Sequence, residues 1–116
     1  MDSILNSIKK MLGLDPDYTP FDTDITVLIN GALMVLRQLG VGETDLQIAD
    51  STATWQDFIG SRTDLEAVKT YVYLKTKLSF DPPASSTVLK AYEDLCKELE
   101  WRLNVQVDPN RLGLGQ

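Results

Sequence analysis

Apolar residues recur along this chain at intervals of three and four, the spacing of helices that bury one face. The clearest stretch runs from residue 63 to residue 105. Thr63-Asp64-Leu65-Glu66 has the form of a capping box, in which each side chain satisfies an orphan N–H of the first turn. The run Ala67 to Leu78 follows and meets Phe80-Asp81-Pro82-Pro83, where two prolines stop a helix. Ser85 or Ser86 caps the next helix, whose Val88, Tyr92, Leu95, Leu99 and Arg102 fall on one stripe. The spacing therefore predicts a proline-broken αα-hairpin over 63–105. Upstream, Ile25, Leu28, Ile29, Ala32, Leu33 and Leu36 predict a helix that starts from a cap at Asp22 or Thr23 and ends at Gly40-Val41-Gly42. Gly31 inside it costs about 1 kcal/mol against alanine, a cost that a close helix crossing explains.

The remaining elements are shorter. Residues 2–12 predict an amphipathic helix with Ile4, Leu5, Ile8, Met11 and Leu12 on one side and Gly13 as its stop. The segment Leu14 to Pro20 reads as a linker that two prolines keep extended. Residues 43–62 are the least regular part. There Val41, Leu46 and Ile48 support a brief extended piece, and Thr54 to Gly60 a single capped turn whose Trp55 and Phe58 plug the core. The fold class is all-α: a small bundle of about four helices with a mobile N-terminal helix and C-terminal tail. One domain is expected over 1–107 and a flexible tail over 108–116. Leu33, Leu36, Val72, Leu95 and Leu99 are expected together in one core. The first helix is expected to pack weakly on its own subunit, so that deleting residues 1–13 leaves the fold nearly as stable.

Composition changes the functional picture more than the structural one. The 116 residues suffice for one domain with a modest core. A formal charge of −6 argues against a DNA-binding surface, which rests on clustered Lys and Arg, but suits a protein that sits near nucleic acid without adhering to it. The absence of histidine removes the commonest general base and metal ligand. The single cysteine, Cys96, allows no intramolecular disulfide or Cys-based zinc cluster and reads as a small core residue. Asp15, Asp17, Asp22 and Asp24 lack EF-hand spacing and read as solvated linker and helix caps. Glu98 and Glu100, two apart on a helix, point to different sides. No catalytic residue, cofactor or metal site is expected, and the chain is not expected to be an enzyme. No signal-peptide start and no apolar run near the ~20 residues of a membrane span is present, so a soluble product of a reducing cytoplasm is expected, with no membrane partner. Trp101 lies off the Leu95–Leu99–Leu103 stripe, either at the edge of the core or in contact with another chain.

Three segments resemble the small head–tail connector proteins of tailed bacteriophages, in the version found among phages of Gram-positive hosts. They are Leu28-Ile29-Asn30-Gly31-Ala32-Leu33 through Gln38-Leu39-Gly40-Val41-Gly42, then Trp55-Gln56-Asp57-Phe58-Ile59-Gly60, and the hairpin from Asp64 through Phe80-Asp81-Pro82-Pro83 to Glu100-Trp101-Arg102-Leu103-Asn104. The similarity runs from about residue 2 to residue 107. It implies a structural virion protein at the head–tail interface. Copies would form a ring under the portal, matching its symmetry, extending the DNA channel, helping to retain packaged DNA and docking the next tail-proximal protein. DNA would pass through the lumen without sequence-specific binding. Ile4, Ile8, Met11, Trp101 and Arg102 are the candidate inter-subunit contacts. Two other classes fit the residues: a cytoplasmic helical adaptor or regulator with no virion role, and a DNA-binding protein using the hairpin as a helix-turn-helix. The proline break and the negative charge oppose the second.

Overall fold

The computed structural model of the chain describes residues 3–42, 45–60 and 64–107. Five helices order the described residues: α1 (Ile4–Met11), α2 (Asp22–Gln38), α3 (Trp55–Ile59), α4 (Leu65–Phe80) and α5 (Ser86–Val107). Helix α4 is central. Of its residues only Glu66 and Ser79 are exposed, because α2, α5 and α1 all pack on it. The result is a flattened body of 49 × 35 × 18 Å, all-helical among the described residues as the periodicity predicts. The short α3 is the capped turn predicted at Thr54. Thr54 Oγ1 accepts from Asp57 N while Asp57 Oδ2 accepts from Thr54 N at 2.8 Å. It drives Trp55 and Phe58 fully into the core.

Local signals end most elements where the sequence places them. Both α1 and α2 stop in Schellman motifs. Leu14 N and Gly13 N donate to the carbonyls of Lys9 and Lys10, and Val41 N and Gly40 N to those of Leu36 and Arg37. Gly40 adopts φ +90°, and Val41 beyond it is buried on the same core as Leu36. Ser85 begins α5, its Oγ accepting from Val88 N at 3.4 Å. The second helix starts differently from expectation. Phe21 occupies its N-cap, and Asp22, one residue inside, is used in an ion pair instead. Thr63, and with it the proposed capping box, lies outside the described residues, as does the segment 108–116.

Lys9 overturns the expectation of a loosely attached first helix. Ile4, Leu5 and Ile8 sit in the core at 0–3% exposure, and Lys9 is itself fully buried. Its ammonium reaches Asp22 Oδ1 at 2.8 Å and donates to the Pro16 carbonyl at 2.8 Å. Asp22 is the half-buried member, at 30% exposure, so losing it leaves the buried ammonium with the Pro16 carbonyl alone, at a cost of about 1–3 kcal/mol. The linker is therefore not an extended tether. Tyr18 N donates to the Asp15 carbonyl and Asp17 N to Asp15 Oδ1, so the segment folds into a turn that Lys9 fastens from beneath. Ser3 bridges to Thr54, Ile4 N donates to the Ala53 carbonyl, and Trp55 Nε1 donates to Ser7 Oγ at 3.2 Å. Helix α1 is a fixed part of the bundle.

Four further expectations are corrected. Leu95 is 37% exposed while Leu99 packs half-buried against the core, so the inward stripe of α5 is Tyr92, Cys96, Leu99 and Leu103. Tyr92 and Leu99 face inward as the spacing predicts, while Cys96 and Leu103 take the places expected for Leu95 and Arg102. Leu28 is half-buried at the edge of α2. Gly31 is exposed, and an added Cβ there would meet nothing within 4 Å, so no helix crosses it within the subunit. Ile48 is buried without belonging to a strand. The Asn30 side chain takes both backbone groups of Ile48, accepting its N–H at 2.7 Å and donating to its carbonyl at 3.0 Å.

Candidate assembly surfaces

Chemistry in the ordinary sense finds little purchase here. Among the described residues no group of three or more His, Cys, Asp or Glu side chains stands close enough to hold a metal. Cys96 is buried, and desolvation pushes its thiol above the usual range, away from the reactive thiolate. Asp50, on the surface, is held below the usual carboxylate range by bonds from the Thr52 hydroxyl and N–H, an ordinary turn closure. The polar groove between α1 and the start of α2 is lined by Asn6, Thr19, Asp22, Thr23, Asp50 and Ser51.

What the molecule does offer is exposed apolar surface, in three places. The first is an aromatic patch. Tyr18 and Phe21 are 47% and 40% exposed, their rings 6.0 Å apart, and Phe21 meets Phe80 edge-on at 5.3 Å. The second is the outer ridge of α2. Val27, Gly31 and Met34 follow one another at helical spacing, with Thr23 and Gln38 extending an uncharged face. Val27 and Met34 are 64% and 58% exposed. The third is α5, where Val88 and Leu95 flank the core stripe and Trp101, 54% exposed, stands on the other side of the helix. The α5 surface also balances its charges, with Lys90 on Asp94 at 3.4 Å and Arg102 on Glu98 at 3.1 Å.

Against this surface the five sequence candidates divide. Met11, Trp101 and Arg102 are exposed and available to another chain. Ile4 and Ile8 are both at 0% exposure in the subunit's own core. Trp101 thus resolves toward the surface rather than the core edge. The sequence reading missed Tyr18, Phe21 and the Val27–Met34 ridge. Both had a signal. Two aromatics flank Pro20 in a segment with no helical period, and Val27 and Met34 fall outside the core repeat of α2.

A helical chain with several exposed apolar faces has the makings of a structural subunit. The family model of the phage connector proteins matches residues 4–110. The chain belongs to the phage connector protein family. Comparison with curated proteins and with solved structures found no match. Membership makes the chain a structural bacteriophage protein of the head–tail connector kind, a component of the virion. No helix among the described residues is long and apolar enough to cross a membrane.

Proposed function

We propose that copies of this connector assemble as a ring beneath the portal vertex. The ring extends the DNA channel, helps retain the packaged genome and presents a docking face to the next tail-proximal protein. The observation that carries this reading is the family match over residues 4–110. The Tyr18–Phe21–Phe80 patch and the Val27–Gly31–Met34 ridge support it, since contiguous exposed apolar surface marks an interaction site. The charge of −6 supports a lumen through which DNA slides rather than binds. Met11, Trp101 and Arg102 are the proposed contacts between subunits, and ring symmetry follows that of the portal.

Negative-stain imaging of the purified chain, alone over a concentration series and with portal complexes, tests the proposal. Rings on the portal, or at high concentration without it, are the expected result. A chain that stays monomeric under every condition and does not cosediment with portal overturns it.

A further inference from the structure

We propose that the Tyr18–Phe21–Phe80 patch of one connector receives the Trp101 face of α5 from a second copy, in a head-to-tail contact. The inference rests on the ring reading and names the two surfaces that would build the ring.

The patch is ready-made for an aromatic guest. Its rings already rest on one another, at 6.0 and 5.3 Å, so little side-chain freedom remains to be lost on contact. Aromatic side chains half in water are the residues that interfaces bury at their centres. The segment that carries Tyr18 and Phe21 also carries Asp15, Asp17 and Asp24, none of which holds an ion pair among the described residues. An acidic partner is repelled there, and an apolar group with a cation beside it is favoured.

The chain itself holds such a group. Trp101 is exposed, and Lys97, one turn before it on α5, is exposed and holds no ion pair among the described residues. Indole against rings and ammonium against carboxylates give one contact two complementary parts. Within one molecule the two surfaces cannot meet. Asn104 Nδ2 donates to the Leu39 carbonyl at 3.0 Å, which fixes the Trp101 end of α5 at the C-terminal end of α2. Phe21 caps the opposite end of that helix, 17 residues long and so about 26 Å away. The contact must therefore join different copies through different faces. Contacts of that kind repeat from copy to copy and close into rings, or run on as filaments.

The test uses full-length chains in a Cys96→Ala background, with Phe21→Cys or Trp101→Cys and a short bismaleimide. Reactions are run at the concentration, or with the portal, at which the unsubstituted chain is imaged in parallel. A mixture of the two single variants is expected to give a crosslinked dimer that neither gives alone, and the double variant a ladder of higher species. A second arm needs no thiol. Lys97→Glu is expected to weaken association about tenfold, and Asp17→Lys added to it to restore it. Self-crosslinking by Trp101→Cys alone overturns the head-to-tail contact. Rings in the parallel images without crosslinks, and without the charge rescue, overturn the contact but leave the ring reading standing. No assembly of the unsubstituted chain at any concentration or on portal overturns both.

Discussion

Tyr71 lies buried at the seam of α4 and α5, where its hydroxyl donates to Glu100 Oε2 at 2.8 Å. Desolvation, then the bond and the charge of Glu100, raise the phenol well above its ordinary value of 10.0. Burial likewise raises Cys96 above 9.0. In both cases the folded state holds the proton more tightly than the unfolded chain does. Their contribution to stability is complete below the unfolded values and is lost as pH rises past them toward the folded ones. The urea midpoint is therefore expected to fall from about pH 9 upward. Tyr71→Phe should flatten that fall while costing about 1 kcal/mol near neutrality, the net worth of one hydrogen bond. On α5 two leucines separate sharply. Leu103, 1% exposed, is expected to cost about 2–5 kcal/mol on change to alanine. Leu95→Ala should cost about 1 kcal/mol or less, because much of its side chain is already in water. Thermal melts of the two variants distinguish them. The sequence period alone did not, since Leu95 and Cys96 are neighbours and both belong to an acceptable stripe.

Among the elements, the period marks α2 and α5, while α4 is marked by the signals at its ends, above all Phe80-Asp81-Pro82-Pro83, because a helix enclosed on nearly every side carries no single apolar stripe. Phe21 at the N-cap of α2 was hidden, since Asp22 is the better intrinsic cap and is lost to the pair with Lys9. That pair also hid the true status of α1. A lysine at the end of a short amphipathic helix normally reads as solvated, and nothing local says that it is buried against a proline carbonyl. Deleting residues 1–13 is accordingly expected to collapse the fold, by uncovering the α2–α4 core and Trp55, rather than to spare it. Loss of the cooperative unfolding transition by circular dichroism is the readout. Gly31 presents the opposite case. Its surroundings are open and its φ is helical, so Gly31→Ala is expected to stabilise the isolated subunit by about 1 kcal/mol. A higher urea midpoint checks this, and any loss of assembly by the same variant marks the ridge as a close contact.

At the scale of the whole molecule, the fold class and the family are legible from the chain, and the candidate surfaces only in part. Trp101 was visible because it breaks a stripe. Tyr18, Phe21 and Phe80 were not, because what joins them is the packing of α2 on α4, which sets the start of one against the end of the other, with the turn at Asp15–Tyr18 adding the third ring. The flattened shape, with α4 enclosed, leaves α2 and α5 as the outer helices and puts the uncharged ridge of α2 and the Trp101 side of α5 outward. The two indoles then have a use that packing alone does not suggest. Trp55 is at 0% exposure and Trp101 at 54%, so one chain carries two light-emitting probes in opposite settings. Acrylamide should quench the red-shifted emission of Trp101 and spare that of Trp55. A Trp101→Phe variant should therefore report unfolding alone. In the unsubstituted chain the quenchable fraction is expected to fall as copies join, which turns the intrinsic fluorescence of the connector into a label-free count of occupied α5 faces.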